Sequence, residues 1–287
     1  MLTRIDRIQL AVPDRRAATG GWQTLLQAEP VGEDRVACLA ARRSRLRLGD
    51  GYVELLEPDG AGPVADAVAK RGGHLYAAGA ATNEFEGLVA HLRSQGIDAA
   101  VEGEQAFVDP AAAGEVGFRV VLSRDHELER MGAVDFFYEA TLLVADAKTA
   151  ARRCATLFAL DAGAFVPIAS KAYGYAGTLT LFHRDRLGRF EVITPDDAAK
   201  TMGRFYARFG ECFYMAFAES HSLAAIEARA REQGVGVTPV SPDGDQTGGA
   251  DTLFLHPPAL GGMMLGLSRP TQAWQWSGHP ERVEPRA

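Results

Sequence analysis

The sequence predicts an α+β fold built from four βαβββ units, two in each half of the chain. Two observations predict it. A strand with a charge at its centre occurs twice, and the elements around it recur in the same order. Residues Gly51–Pro58 read Gly-Tyr-Val-Glu-Leu-Leu-Glu-Pro, and residues Gly188–Pro195 read Gly-Arg-Phe-Glu-Val-Ile-Thr-Pro. Glycine opens both, proline closes both, and Glu54 and Glu191 stand where a core strand carries an apolar side chain. Such long-period self-similarity is the first thing to settle, since it fixes the architecture.

The remaining elements follow in order. Ile8–Asp14 and Ala140–Asp146 are alternating strands that each end in Asp, a good helix N-cap. Ala-rich helical segments come next, Arg15–Ala28 and Ala147–Leu160. Further on, Leu92–Ile97 and Ala230–Val235 each look like a helix end with glycine as the left-handed stop. Phe107–Pro110 is echoed by Leu255–Pro257, each leading into another strand. The halves therefore run over residues 1–123 and 134–269. Residues 124–133 read as a linker, polar at first and ending in Met131-Gly132. Residues 270–287 form an irregular tail, whose Trp274 and Trp276 pack back on a domain or cover a partner's surface.

Composition narrows the function classes. The 287 residues are 47% hydrophobic and 23% charged, the balance of a globular protein. No apolar run is long enough to span a membrane. The N-terminus carries an acid where a signal peptide is apolar, so a cytoplasmic location is expected. Cys38, Cys154 and Cys212 are far apart and odd in number, which suggests reduced thiols. The net charge of −7, with no basic run interleaved with aromatics, argues against a nucleic-acid partner. The expected partner is a small-molecule substrate or ligand, bound by a monomer or homodimer.

The repeated motifs resemble those of the vicinal oxygen chelate superfamily, which includes glyoxalases, bleomycin-resistance proteins and extradiol dioxygenases. The stretch from Val53 to Pro58, continued by Lys70–Tyr76, is most similar to methylmalonyl-CoA epimerases and glyoxalase-like relatives. The two-domain layout is similar to extradiol dioxygenases. The resemblance implies two consecutive glyoxalase-like half-barrel domains, each around a cavity with a divalent metal held by His, Gln or Glu, His and Glu. Carried over position by position, those ligands fall on Arg7, Glu54, Ala77 and Arg119 in the first half, and on Glu139, Glu191, Tyr214 and Gly266 in the second. No histidine stands at any of them, and an arginine cannot ligate a metal. No cofactor is therefore expected. A carboxylate-only site for a hard cation on Glu139 and Glu191 is the open alternative, with few ligands.

Two readings stand beside each candidate. Arg7, Glu54 and Arg119 form either an anion-binding site or an internal Arg–Glu–Arg salt bridge that replaces the metal. Glu139 and Glu191 sharing one pocket would raise each other's proton affinity, which suits a general acid and base, with Tyr214 steadying an oxyanion. Otherwise Glu139 points outward and Tyr214 is a core aromatic. His74 lies at the rim and His183 on the strand Leu179–His183; both are candidate substrate contacts, although His183 fits a strand-end surface residue as well. His256 reads as structural, Met215, Met263 and Met264 as core, and residues 244–249 as a loop over the cavity mouth. The expected function is a metal-independent lyase, isomerase or epimerase acting on a small carbonyl or acyl substrate. The alternatives are a non-catalytic small-molecule binder and an extradiol-type dioxygenase.

Overall fold

The computed structural model describes residues 1–113, 118–241 and 249–285. The first half contains β1 (Leu2–Ala11), α1 (Arg15–Leu26), β2 (Glu29–Val36), β3 (Ala41–Leu48), β4 (Gly51–Pro58), α2 (Pro63–Arg71), β5 (His74–Thr82), α3 (Phe85–Ser94), β6 (Ala100–Glu102), β7 (Gln105–Val108), α4 (Pro110–Ala113) and β8 (Val120–Arg124). The second half repeats this order with β9 (Phe136–Leu143), α5 (Ala147–Phe158), β10 (Val166–Ser170), β11 (Tyr175–Leu181), β12 (Arg189–Pro195), α6 (Thr201–Phe209), β13 (Cys212–Glu219), α7 (Leu223–Glu232), β14 (Val237–Val240), β15 (Thr252–Leu255) and β16 (Met264–Ser268).

The two sheets have eight strands each, in the orders β2-β3-β4-β1-β5-β8-β7-β6 and β10-β11-β12-β9-β13-β16-β15-β14. The orders are the same, strand for strand, so the duplication read from the sequence is a duplication of topology. Within each sheet the glutamate strand lies parallel to the first strand of its βαβββ unit. Gln9 stands opposite Glu54 and Thr141 opposite Glu191.

Local sequence accounts for the helix limits. Asp14 Oδ1 accepts from the backbone N–H groups of Arg16 and Ala17 at 2.9 and 3.0 Å, and Asp146 Oδ1 from that of Thr149 at 3.1 Å. These are the expected caps, which satisfy otherwise orphaned donors of the first turn. Gly96 and Gly234 follow α3 and α7 with φ of +80° and +64°, the left-handed stop that glycine adopts without a steric cost. The helices α2 and α6, between the two units of each half, are additions to the expected pattern. On α6, Met202, Phe205 and Tyr206 pack on Leu143 and Ile193, and the ring of Phe209 meets that of Phe205 at 4.8 Å.

By contacts the chain forms two compact units, each combining one βαβββ unit from either half. One holds Met1–Ile5, Ala77–His126 and Glu139–Tyr214. Its core gathers on Phe190, with the rings of Phe118, Phe158 and Phe182 at 5.9, 5.9 and 5.0 Å. The other holds Asp6–Tyr76, Glu127–Tyr138 and Met215–Ala287. There Tyr138 stacks on Phe217 at 6.0 Å and donates to Ser268 Oγ at 3.1 Å. The C-terminal segment belongs to this second unit. Trp276 lies half-buried against Phe217, and the backbone N–H of Thr271 donates to Glu219, so the tail packs back on the fold. His256 is tied to Thr238 Oγ1 at 2.9 Å, in keeping with a structural role. Of the expected loop at 244–249, all but Gly249 lies outside the described residues. No described helix is long and apolar enough to cross a membrane.

Candidate functional site

Glu54 and Glu191 each anchor a buried polar cluster, and the two clusters differ in charge. In the first, the Glu54 side chain is fully buried. Its Oε1 accepts from Arg7 Nη1 at 2.8 Å and Arg43 Nη1 at 3.3 Å, and its Oε2 from Gln9 Nε2 at 2.6 Å. Arg7 also donates twice to Asp6, and Arg43 forms a two-pronged pair with Asp34. The Arg7 guanidinium lies over the Tyr52 ring at 5.3 Å. Burial alone would push Glu54 up, but Arg7 and Arg43 outweigh it and hold its carboxyl below the usual range. Burial likewise works against the charge on Arg7, and Asp6 and Glu54 more than restore it.

In the second cluster, Glu139 and Glu191 are both buried. Arg189 Nε donates to Glu139 Oε2 at 2.7 Å. Thr141 Oγ1 lies 3.2 Å from Glu139 Oε1 and 2.7 Å from Glu191 Oε2. Tyr175 lies near Glu191, whose charge works against ionisation of its phenol. Strand alternation explains the convergence: Glu139 and Thr141 share one face of β9, Arg189 and Glu191 one face of β12, and the two strands lie side by side. Burial, and then the neighbouring Glu139, push Glu191 well above the ordinary carboxylate range. Tyr175 is pushed up by burial and by the same two carboxylates.

Four of the eight expected site residues, Arg7, Glu54, Glu139 and Glu191, fall in these clusters, and the described contacts of Arg119, Tyr214, His183 and His74 lie elsewhere. Arg7 joins Glu54 as expected, but the second guanidinium on Glu54 comes from Arg43. Arg119 precedes β8 and donates to Asp109 Oδ2 at 2.7 Å. Tyr214 packs with Tyr175, Phe205 and Tyr206 on the Leu143–Ile193–Met202 cluster and meets Phe205 edge-on at 4.8 Å. Tyr175, and not Tyr214, is the phenol that feels the charge of Glu191. His183 lies beyond the end of β11, with its side chain 58% exposed, and its Nδ1 accepts the N–H of Asp185 in a surface turn. His74 is buried at the start of β5, with Nδ1 2.9 Å from the Gly72 carbonyl and its ring edge-on to Tyr76. Sequence reasoning passed over Arg43, Gln9, Thr141, Arg189 and Tyr175. Thr141 and Arg189 were within reach, two residues from Glu139 and Glu191 on the same strand faces.

Neither cluster fits the divalent metal that the resemblance implies. Two guanidiniums already occupy Glu54, and Arg189 occupies Glu139, so a cation at either place would face a fixed positive charge. Two carboxylates alone supply too few donors, and no group of three potential ligands occurs among the described residues. At Gly266, the last ligand position of the second half, an added Cβ would overlap the Phe217 ring.

No protein-family model matches the sequence, and no curated protein matches it. Solved structures do resemble it. A triple variant of 4-hydroxymandelate synthase from Streptomyces coelicolor aligns over 98% of this chain and 99% of its own, with a TM-score of 0.72 and 14% identity. A xylose isomerase-like TIM barrel/4-hydroxyphenylpyruvate dioxygenase fusion protein aligns over 94% of this chain with a TM-score of 0.65 and 11% identity, and this chain spans 49% of it. Methylmalonyl-CoA epimerase from Mycobacterium tuberculosis overlaps 48% of this chain and 90% of its own, at 19% identity and a TM-score of 0.40, which is too loose to weigh. At such identities likeness speaks for fold and not for activity. The chain has the fold of the vicinal oxygen chelate superfamily, with two glyoxalase-like half-barrel domains in tandem.

Proposed function

We propose that this protein is an enzyme that moves a proton beside a carbonyl group: a metal-independent lyase, isomerase or epimerase of small carbonyl or acyl compounds. One observation carries the reading. Glu139 and Glu191 meet in a buried cluster that holds one guanidinium, Arg189, so two acids share one fixed counter-charge. Such a pair supplies one protonated and one ionised carboxyl near neutral pH, the acid and the base that enolisation needs. The ionised member takes the proton from carbon. The protonated member, with the Tyr175 hydroxyl beside it, donates to the oxygen where charge develops. The half-buried rings of Tyr175, Tyr214, Phe205 and Tyr206 offer an apolar wall for the rest of the substrate.

The test is solvent deuterium exchange into a panel of 2-oxo acids and acyl-CoA thioesters. The wild type is expected to exchange at least one of them. Glu191→Gln should slow that exchange by about 100-fold or more, the usual weight of a general acid or base, while leaving binding in place. Exchange at an unchanged rate in Glu191→Gln would remove the assignment.

A second reading is a non-catalytic binder of small molecules. It is favoured by the fact that both carboxylates already have partners within the cluster. Ligand binding with no exchange across the panel would select it. Oxygenase activity, suggested by the name of one structural neighbour, is tested by metal analysis with oxygen uptake; stoichiometric iron with uptake would replace the present proposal.

A further inference from the structure

The contacts of Thr141 carry more than a link between two side chains. Its Oγ1 lies within hydrogen-bond distance of one oxygen from each carboxyl, 3.2 Å from Glu139 and 2.7 Å from Glu191. A hydroxyl has a single proton and can donate to only one of them. The other contact is a hydrogen bond only if that carboxyl is itself protonated and donates to Thr141. The longer contact goes to the glutamate that accepts from Arg189 Nε, and the shorter one to Glu191, which accepts from no guanidinium among the described contacts.

The geometry points to a one-proton relay in which Glu191 is the resting acid, Thr141 the bridge and Glu139 the resting base. At rest Glu191 donates to Thr141 Oγ1, Thr141 donates to Glu139 Oε1, and Arg189 donates to Glu139 Oε2. If Glu191 passes its proton to Thr141 while Thr141 passes its own to Glu139, the two acids exchange roles. One O–H bond breaks and one forms at Thr141, and the charge of the cluster is unchanged. Thr141 is therefore a positioning residue whose hydroxyl lets either carboxyl serve as acid or base.

The charged and titratable groups around this chain come from four strands and a helix. Glu139 lies on β9, Arg189 on β12, Tyr175 on β11, and Tyr214 and Tyr206 on β13 and α6, packed on the adjoining apolar cluster. Among these groups Arg189 is the one cation, against two acids. Burial and the proximity of Glu139 both favour the proton on Glu191.

The inference rests on the proposed proton-transfer function, but its test needs no substrate. Infrared difference spectra at neutral pH read the carbonyl stretch of a protonated carboxyl, which is well separated from that of a carboxylate. The wild type minus Glu191→Gln should show one such band. Glu139→Gln should also lose it, because Arg189 is then left to balance Glu191 alone. Thr141→Val should keep the band but move it to higher frequency, since the acid loses its acceptor, and Thr141→Ser should restore its position. The Glu139→Gln and Thr141→Ser arms keep the test available if Glu191→Gln does not fold. No band in the wild type that Glu191→Gln or Glu139→Gln removes, or the same frequency in Thr141→Val as in the wild type, would overturn the relay. Failure to find deuterium exchange, with the band present, would count against the proposed reaction and leave the relay standing.

Discussion

Glu54 and Glu191 are one position in two copies of a repeat, yet their surroundings have opposite electrical character. Each sits on the fourth strand of its unit, opposite a polar residue of the first strand, Gln9 or Thr141. Around Glu54 are two guanidiniums and an amide, all donating. Around Glu191 are a second carboxylate, a hydroxyl and a phenol, with the nearest guanidinium spent on Glu139. The exchange traces to a few residues. The position of Arg7 on β1 is taken by Glu139 on β9, and that of Tyr52 on β4 by Arg189 on β12. Moving the arginine from the first strand to the fourth leaves a lone acid locked by cations in one copy and a pair of acids short of one in the other. The lesson is that a duplicated scaffold keeps its register while its charge can be reversed by two substitutions.

If the first cluster is a lock, removing its acid should have the largest effect on stability. Glu54→Ala leaves Arg7 and Arg43 facing each other without their shared partner. The expected loss is about 3–5 kcal/mol in chemical denaturation, the usual consequence of breaking a buried ion pair from one side. A loss below 1 kcal/mol would mean that Asp6 and Asp34 suffice and that the comparison is overdrawn. In the second cluster, Tyr175→Phe removes the hydroxyl beside Glu191. A cost of about 1 kcal/mol is expected, with slower exchange of whatever substrate the wild type turns over. No change in that exchange would confine Tyr175 to packing. The smallest effects belong to Arg119→Ala and His183→Ala, whose described contacts lie apart from both clusters. Both should stay within about 0.5 kcal/mol of wild type and keep full exchange activity; a large loss of activity in either would restore it to the site.

Much of this arrangement was legible in the sequence, and the reason is periodicity. The strand at Gly51–Pro58 falls where the repeat places it, and the Asp14 and Asp146 caps start α1 and α5 as their chemistry demands. Glu139 could be matched to Glu191 because both stand at fixed positions in that repeat. Arg43 was not legible. It belongs to a strand whose sequence, Ala41–Leu48, has no counterpart at Tyr175–Leu181, so nothing in the repeat singled it out. Arg119 was misplaced because matching by repeat treats it as a strand residue, whereas β8 begins at Val120. Tyr175 and Tyr214 exchange roles for a similar reason: which phenol reaches Glu191 depends on how β11 and β13 lie in three dimensions, and strand periodicity does not contain that.

The opposite charge of the two clusters has opposite consequences for pH. Glu54 has a lowered proton affinity in the folded protein, so its contribution is present above the unfolded value of about 4.3 and is lost as pH falls through its depressed folded value. Glu191 has a raised one, so its contribution is present below that value and is lost as pH rises through its elevated folded value. Glu219 is also raised, and comparison of wild type with Glu191→Gln cancels its share. The most direct test is therefore the stability of these two proteins, measured by denaturant unfolding from mildly acid to mildly alkaline pH. The wild type should lose stability relative to Glu191→Gln as pH rises, while two profiles that stay parallel over the whole range would contradict a proton held on Glu191.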